Sequence, residues 1–432
     1  MSLPSLTAQL QPDGCYAVAF SGGLDSTVLL HQLVCWQQQH PQLRVRALHV
    51  HHGLSPNADS WAEHALRICQ QWQIPCAVLR VQVDSRDSGI EAAARTVRYQ
   101  ALFADLQPGE QLLTAQHLDD QCETLLLALK RGSGPAGLAS MPAQRQYGAH
   151  QHLRPLLSVS RQQLESYAMQ HQLSWIEDES NADVRYDRNF LRQQILPLLQ
   201  ARWPHFSAAA ARSAALCGEQ EQLLDELLAE QLAQLTDQQG ALHFPPLLAM
   251  SEARRHALLR RWITRQGGAM PSREALRRIT DEVMHCREDA QPCLRFGAFV
   301  LRRYREQLFW LPHQTSLRQH ALVWHTLSQP LSLPDGLGTV QADFTTCAMR
   351  LPAEDEQINV RFQAHGYYHL QGRAGGREMK KLWQELGVPP WQRERIPLIY
   401  YNQTLMAAPG LFITREGATR DTAGWQAIWS QQ

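Results

Sequence analysis

The sequence predicts an α/β protein that begins with a doubly wound parallel sheet and continues into two smaller domains. Short apolar segments alternate with helical segments over the first 130 residues, the order that builds a parallel sheet with helices on both faces. A turn with two glycines joins the first strand to the first helix at residues 21–27. Ligands of such sheets bind beyond the carboxyl ends of the strands, so function is expected there.

The strands and helices of this first part follow from hydrophobic patterning. Runs rich in strand-forming residues are bounded by turns, and apolar residues recur with helical spacing between them. The predicted strands are residues 15–20, 45–50, 76–81 and 111–115, and the predicted helices are 58–72, 90–106 and a segment that ends at 130.

Length and composition indicate a globular protein of two or three domains. The chain has 432 residues, 44% of them apolar and 19% charged, enough for substantial cores. No apolar run approaches the roughly 18 residues that cross a membrane, and residues 1–14 lack the segments of a signal peptide. The nine cysteines include no CxxC pair, so neither a zinc ribbon nor a redox dithiol is predicted. We expect a cytoplasmic protein with reduced thiols.

The glycine turn has the composition of an anion-binding loop. Residues 21–27 read Ser-Gly-Gly-Leu-Asp-Ser-Thr; two glycines let the backbone approach a ligand, and amides at a helix start favour an anion. Its hydroxyls add donors, and Asp25 could hold a cation or an amine. An ordinary glycine turn with a serine cap is the simpler alternative. The ordinary P-loop is excluded, because none of the three lysines follows a glycine.

This loop resembles the SGGxDS motif of the PP-loop ATP pyrophosphatase superfamily, whose members split ATP between the α and β phosphates and adenylate a substrate oxygen. The resemblance implies ATP as co-substrate and Mg²⁺, with Asp25 as the proposed Mg²⁺ ligand. The family pattern HVxHGL, matched at residues 49–54, would line the nucleotide pocket; a metal site or a surface turn are the other interpretations. The expected nucleotide-binding residues are Ser21, Gly22, Gly23, Leu24, Asp25, Ser26 and His49.

Two further motifs supply candidate catalytic residues. Residues 91–99 place Glu91 and two arginines along one helix face; in the family pattern ARxxRY the arginines approach phosphate or RNA, whereas a surface ion pair is the alternative. Residues 117–124 match the superfamily pattern HxxDDxxET. Asp120 and Glu123, three positions apart, share a helix face and could hold Mg²⁺ or an ammonium. The two acids of the first turn could instead simply complement the helix dipole. The expected catalytic residues are Asp25, Arg95, Arg98, His117, Asp120 and Glu123.

Residues 132–137 match the dinucleotide fingerprint GxGxxG, but they follow a helix instead of a strand. They resemble instead the family's RGSGxxGL, a loop thought to meet RNA.

Residues 177–197 resemble the family pattern EDxSN…RNxxRxxxLP, which closes the catalytic domain. By itself, that segment reads as an amphipathic helix with a charged face.

Arginine-rich regions beyond residue 250 predict contacts with nucleic acid. Arginines make up 38 of the 41 basic residues, and residues 254–305 hold thirteen arginines against five acids, an electrostatic footprint for phosphates. Trp262 lies between two arginine pairs on a predicted helix. Genomic composition is the alternative explanation of the arginine bias. A second basic patch precedes residue 382. The expected contacts with the nucleic acid are Lys130, Arg131, Arg192, Arg254, Arg255, Arg260, Arg261, Arg377, Lys380 and Lys381.

Together with the phrases at residues 376–411, the motifs resemble the tRNA(Ile)-lysidine synthetase family in order and spacing. The resemblance implies ATP-dependent adenylation of the C2 oxygen of the wobble cytidine in tRNA(Ile) with a CAU anticodon. The ε-amine of L-lysine would then attack C2 and release AMP. It also implies a possible homodimer and three domains. These are a PP-loop catalytic domain at 1–215, a helical arginine-rich tRNA-binding domain at 216–320 and an α+β tRNA-binding domain at 321–432.

Three other functions are weighed against this one. A tRNA thiolase adenylates the same base atom but generally needs a cysteine pair or an Fe–S cluster. A tRNA-binding protein with an inactive nucleotide site would not need the intact motifs at residues 21–27 and 119–124. A small-molecule amidotransferase or ligase would leave the net charge of +8 over residues 254–305 unexplained.

Overall fold

The computed structural model describes residues 9–53, 55–83, 90–287, 290–419 and 423–430. It divides into two compact units, Met1–Leu227 and Leu228–Gln432. Leu54 and most of the N-terminal stretch expected to lack a signal peptide lie outside the described residues, as does the side chain of Glu91. Among the helices described, none combines the length and apolarity that a membrane crossing requires.

The first unit contains the predicted alternation of strands and helices. A short 3-10 turn and a π-helical turn, Leu191–Ile195, interrupt its later helices. Its elements are β1 (Cys15–Ala19), α1 (Leu24–Gln39), β2 (Arg44–His51), α2 (Ala58–Gln71), β3 (Cys76–Arg80), α3 (Ile90–Asp105), β4 (Gln111–Leu113), α4 (Leu118–Lys130), α5 (Pro135–Leu138), β5 (Gln144–Tyr147), β6 (His150–Leu153), α6 (Arg161–Gln170), α7 (Asp187–Phe190), α8 (Leu196–Arg202) and α9 (Phe206–Leu235).

The strand order of this unit is β3-β2-β1-β4-β6-β5 in the described chain. All neighbours pair in parallel except β5, which pairs antiparallel with β6 at the edge. The doubly wound parallel sheet is therefore confirmed. The β5–β6 hairpin was not predicted, because its strands are largely polar and show no clear alternation. Since β1 lies between β2 and β4, the order in which strands are added to the sheet reverses there. A crevice opens at the carboxyl ends of these strands.

Alternate residues of each strand pack on opposite faces of the sheet. Tyr16 and Val18 join a core with α1, α2 and α6, whereas Ala17 and Leu48 pack against α3. Both faces are covered, which explains why the strands read as continuous apolar runs instead of alternating ones.

The second unit continues from α9 into mixed α and β structure. Its elements are β7 (Leu242–His243), α10 (Pro245–Leu248), α11 (Glu252–Arg265), α12 (Arg273–Arg278), β8 (Cys293–Phe296), β9 (Phe299–Tyr304), β10 (Gln307–Pro312), β11 (Ala321–Val323), β12 (Leu331–Ser332), β13 (Thr339–Asp343), β14 (Ile358–Arg361), β15 (Tyr367–His369), β16 (Gly376–Glu378), α13 (Met379–Glu385), α14 (Pro390–Arg393), β17 (Leu398–Tyr401), β18 (Thr404–Ala408), β19 (Phe412–Ile413) and β20 (Gln426–Ser430).

The basic stretch 254–305 is helical only in its first half. Its end forms β8 and β9, which join β10 and β7 in an antiparallel sheet. Trp262, which lies between two arginine pairs in the sequence, is 1% exposed, and its indole N–H donates to the Gly240 carbonyl at 2.8 Å. The helical period of α11 places this ring in the core, away from any RNA surface.

The last part of the chain has the predicted α+β character. The described strands form sheets in the orders β11-β14-β17-β18-β19 and β12-β13-β20, and their core contains Phe362, Tyr401 and Trp425. The predicted boundaries near residues 215 and 320 stay predictions. The helix α9 runs without interruption across the first of them.

Candidate active site

The glycine loop is held in a conformation that requires glycine at its second position. Gly22 has a φ of +84°, and a Cβ there would lie 2.8 Å from Cδ1 of Ile176. The Ile176 N–H donates to the Gly22 carbonyl at 2.8 Å. The segment after α6 therefore packs directly on the loop, and any larger residue at position 22 would both strain the backbone and displace that segment.

The hydroxyl groups of the loop have different roles. Ser26 Oγ donates to the Gly23 carbonyl at 3.0 Å and lies 3.1 Å from Ser21 Oγ, and Ser21 is exposed. Thr27, expected to offer a hydroxyl to the ligand, is fully buried and donates to the Gly23 carbonyl at 2.9 Å. Its hydroxyl supports the turn, whereas the first amides of α1 lack intrahelical acceptors and can bind an anion.

A cavity of about 970 Å³ opens at the carboxyl ends of the strands beside this loop. Pockets of this size hold nucleotide-sized ligands. Gly22 and Ser26 lie behind its surface, and Arg95 lies outside it, with its guanidinium 5.3 Å from the centre of the Tyr99 ring. The predicted residues that line the cavity are Ser21, Gly23, Leu24, Asp25, His49, Arg98 and Arg192.

His49 and Arg98 are both affected by enclosure in the cavity. His49 is 4% exposed and its Nδ1 lies 2.9 Å from the Phe20 carbonyl, to which it must donate; Nε2 is therefore the acceptor of the ring. Burial lowers the pKa of His49. Arg98 is solvent-accessible but recessed, and the partial loss of water lowers the pKa of its guanidinium.

His117 caps α4 and connects two carboxylates. Its Nδ1 accepts the Asp119 N–H at 3.3 Å, so the neutral ring carries its proton on Nε2. That atom lies 3.7 Å from Asp25 Oδ2 and 3.5 Å from Asp120 Oδ2. The His117 N–H in turn donates to Asp120 Oδ2 at 3.1 Å. This capping box brings the loop acid and the helix acid to one imidazole.

Arg192 binds Asp120 and Glu123, two of the three acids of the α4 motif. Its Nε donates to Glu123 Oε1 at 2.7 Å and its Nη2 to Asp120 Oδ1 at 2.8 Å. Arg188 Nε lies 3.3 Å from the second oxygen of Glu123. Burial raises the pKa of Glu123, against the opposing effect of Arg192. Glu123 is fully buried, so in this conformation it holds the arginines and does not face a substrate.

Arg161 was not predicted and pairs with the loop carboxylate. Its Nη1 donates to Asp25 Oδ1 at 2.8 Å, and its backbone N–H donates to Asp119 Oδ2 at 2.8 Å. Burial raises the pKa of Asp25, and His117 and Arg161 oppose this. Asp119 thus orients the start of α6, while Asp120 contacts His117 and Arg192. Like His117 and Glu123, Asp120 is not among the residues that line the cavity. The capping box of Ser160 marks that helix start in the sequence, but it does not reveal the pairing.

Arg188 was likewise missed as a site residue, and Arg192 was placed among the tRNA contacts. Arg192 lies on the π-helical turn, a distortion frequent at functional sites. The pattern RNxxR contains both arginines, and this pattern was the sequence feature that could have identified them as site residues. Only the packing of that turn against α4 shows that they meet Glu123.

The carboxylates of Asp25 and Asp120 are hard oxygen ligands of the kind that Mg²⁺ prefers. Both approach His117 Nε2, and burial raises the pKa of Asp25. Among the described residues, no group of three or more ligating side chains is preformed. Mg²⁺ usually takes its remaining ligands from phosphates and water, so these residues fit a phosphate-bound ion.

The other predicted RNA contacts lie at the surface. Lys130 at the end of α4 pairs with Asp187 at 2.6 Å, and both are well exposed. Arg131 is exposed, and the glycine-rich stretch after it leads into α5. In the second unit, Arg254 is exposed and donates to Gln231 at 3.0 Å. The remaining predicted contacts there are exposed or half-buried, namely Arg255, Arg260, Arg261, Arg377, Lys380 and Lys381.

Comparisons with known proteins cover nearly the whole chain. Residues 3–199 match a PP-loop domain, residues 242–309 a TilS substrate binding domain and residues 358–429 a TilS substrate C-terminal domain. The tRNA(Ile)-lysidine synthase of Shigella flexneri is 56% identical over 427 residues, 99% of each chain. That of Escherichia coli O157:H7 is 55% identical over 427 residues, again 99% of each. That of Salmonella typhimurium is 53% identical over 99% of this chain and 100% of its own. This chain therefore belongs to the tRNA(Ile)-lysidine synthase family.

Proposed function

We propose that this protein ligates L-lysine, through its ε-amine, to C2 of the wobble cytidine of tRNA(Ile) with a CAU anticodon. ATP is consumed, and lysidine, AMP and pyrophosphate are formed. The observation that carries the proposal is the convergence of the glycine loop with Asp25, His117 and Asp120 in a chain 53–56% identical to the named synthases.

The glycine loop binds the phosphates of ATP. The first amides of α1 and the Ser21 hydroxyl supply donors at the cavity surface, and Arg161 and Arg192 add positive charge to its lining. Mg²⁺, held by Asp25 with Asp120 beside it, would neutralise the phosphate charge. The adenine end extends toward His49, whose Nε2 is an acceptor. The loop therefore holds the leaving pyrophosphate and leaves the α phosphate open to the base.

The reaction proceeds by two displacements. The C2 oxygen of cytidine bonds to the α phosphorus while the bond to pyrophosphate breaks; then the ε-amine bonds to C2 while the C2–oxygen bond breaks and AMP departs. The nucleophile comes from solution, so binding and orientation do most of the work. Asp120, held by Arg192 and His117, orients the lysine ammonium and accepts its proton. Arg98 faces the nucleotides, and Glu123 acts by positioning Arg192.

Sulfur transfer is the rival within the superfamily, and the site does not favour it. Cys122 lies inside the acidic motif, yet it is fully buried, and burial raises the pKa of its thiol to about 11. A thiol kept protonated and closed from the cavity is a poor nucleophile.

The test supplies ATP, radiolabelled lysine and total tRNA to the purified chain. We expect label in RNA that depends on ATP, with one AMP formed per lysine. Sulfur incorporation without lysine would overturn the proposal in favour of a thiolase. Absence of ATP–pyrophosphate exchange with tRNA present would indicate a binding protein with an inactive nucleotide site.

The proposal also includes a cytoplasmic location, tRNA contacts by the basic surfaces of the second unit, and a possible homodimer. The basic surfaces would position the RNA through its phosphates without reading its sequence. Light scattering of the free protein tests the dimer, and a monomer at micromolar concentration would remove it.

A further inference from the structure

A second group of buried polar side chains lies beside the cavity, at the carboxyl ends of β4 and β6. Arg154 is 6% exposed and His152 3% exposed. No step of the reaction above uses them. We name the group the Arg154 recess, and its members are Tyr99, Thr114, Gln116, His152 and Arg154.

The hydrogen bonds of the recess form one chain, in which each residue beginning with Arg154 donates to the next. Arg154, which can only donate, binds His152 Nδ1 through Nη2 at 3.1 Å. His152 must then donate from Nε2 to the Thr114 hydroxyl at 2.7 Å, and that hydroxyl donates to Gln116 Oε1. Gln116 Nε2 donates to the Tyr99 hydroxyl oxygen at 3.5 Å. The Tyr99 hydrogen remains as a donor at the end of the chain.

The recess is positive and has no internal counter-ion. Arg154 Nε is buried without an acceptor, and no carboxylate of the described residues forms an ion pair with this guanidinium. Burial, followed by the charges of Arg154, Arg95 and Arg145, lowers the pKa of His152 to about 3 and keeps it neutral. A buried guanidinium is costly unless an anion compensates it. Donors and positive charge without an acid are the character of an oxyanion site.

The geometry points to the Arg154 recess as a binding site for a phosphodiester of the RNA substrate, adjacent to the reacting nucleotide. This inference rests on the proposed function. Gln116 directly precedes His117, and Tyr99 directly follows Arg98, which lines the cavity. The recess therefore lies on the path of the RNA strand whose base would enter the cavity.

Two exposed arginines extend the recess to the surface. Arg95 lies over the Tyr99 ring at 5.3 Å, and Arg145 is exposed on β5, where it pairs with His152 across the hairpin. Positive charge thus runs from the surface to the buried guanidinium of Arg154. A nucleic-acid backbone can follow such a track while its base enters the neighbouring cavity.

A free amino acid fits this group less well than a phosphodiester. Its carboxylate could bind Arg154, but its α-ammonium would lie among three guanidinium groups, with no acid of the described residues to receive it. A phosphodiester carries negative charge only, and it matches the planar fork of an arginine. The recess therefore selects RNA backbone over lysine.

The test compares two arginine variants and one control variant by fluorescence titration with tRNA. Arg145→Ala removes an exposed charge, and Arg154→Lys keeps the charge but loses the fork. We expect each to weaken tRNA binding about tenfold, with KM for ATP and lysine unchanged. Arg145→Ala should also lower the salt slope by about 0.7–1, whereas Arg154→Lys keeps its charge and should leave the slope close to the wild-type value. The matched control is Arg67→Ala, because Arg67 is exposed on α2, which packs on the opposite face of the sheet; its tRNA affinity should equal the wild type.

A double-mutant cycle identifies the linkage. Anticodon stem–loop RNAs with single neutral methylphosphonates are titrated against wild type and Arg154→Lys, whose fold is checked by circular dichroism. One linkage should weaken binding to the wild type but not weaken it further in Arg154→Lys. Wild-type tRNA affinity in both Arg145→Ala and Arg154→Lys would overturn the inference, as would a raised KM for lysine alone. Titration needs no turnover, so its result is independent of whether lysine is ligated.

Discussion

The acidic cluster of the cavity and the Arg154 recess use arginine in opposite ways. In the cavity, Arg192 donates to two carboxylates, Glu123 and Asp120, at 2.7 and 2.8 Å. In the recess, Arg154 donates to the Pro142 carbonyl at 2.7 Å and to a neutral histidine at 3.1 Å. An arginine paired within the fold organises the side chains around it. An arginine without a carboxylate is suited to receive an anion from outside.

The largest effect is expected at Asp25, because it joins the phosphate loop to the acidic cluster. Asp25→Ala removes the proposed Mg²⁺ ligand and the partner of Arg161, so AMP formation should fall by about a thousandfold or more. tRNA affinity should stay within a few-fold, since RNA phosphates are bound elsewhere. AMP release and filter binding measure the two. Asp281→Ala, at an exposed acid of the second unit, is the control, and normal turnover of Asp25→Ala would contradict the assignment.

The next largest effect should follow from breaking the ion pairs that Glu123 forms with Arg188 and Arg192. Glu123→Gln leaves Arg192 and Arg188 without their buried counter-charge, so the free energy of unfolding should fall by about 3 kcal/mol. Urea denaturation measures this loss. Adding Arg192→Met should lower both the stability and the activity further, because Arg192 keeps its hydrogen bond to Asp120 in Glu123→Gln and its removal leaves that carboxylate without its arginine. Unchanged stability in Glu123→Gln would show that the pairing does not organise the site.

Arg254, which is exposed, and Arg255, which is half-buried, extend the comparison to the second unit. Replacing Arg254 and Arg255 together by alanine should weaken tRNA binding about three- to tenfold and lower the salt slope by about one to two. Titrations at several salt concentrations measure both. Arg185→Ala, at an exposed arginine paired with Asp183 at 2.6 Å, is the matched control. Binding unaffected by the double substitution would remove this surface from the RNA interface.

The last effect is one on stability and concerns the neutral histidine of the recess. The pKa of His152 is about 3 in the folded protein, below its ordinary 6.5. Between these values the unfolded chain binds more protons, so stability is lost as pH falls from 6.5, by at most about 1.4 kcal/mol per unit. His152→Gln should reduce this acid dependence, measured by urea denaturation at pH 7 and pH 5. Other buried histidines leave some dependence; equal slopes in both proteins would contradict the prediction.

Sequence reasoning located much of the cavity because its motifs follow strands. The glycine loop follows β1, His49 lies near the end of β2, and His117 follows β4. Parallel pairing brings these ends to one edge of the sheet, so residues far apart in sequence share a crevice. The roles proposed for them rest on that proximity.

Packing between elements could not be predicted in the same way. Arg161 reaches Asp25 across 136 positions, and Arg192 reaches Glu123 across 69. Nothing in the local pattern around either arginine states its partner. Trp262 shows that sequence neighbours can lie on opposite faces of a helix, since this ring lies between arginines in the sequence but is buried in the core.

By itself, the sequence determined the α/β order, the anion-binding loop and the residue types that gather at the strand ends. Local patterning suffices for these features, because strand and helix periods and glycine conformations depend on near neighbours. Only the tertiary structure decided which acids face the cavity, which are neutralised by arginines, and that Arg154 pairs with no carboxylate of the described residues. Charge pairing depends on which elements meet, and that is settled when the chain folds back on itself.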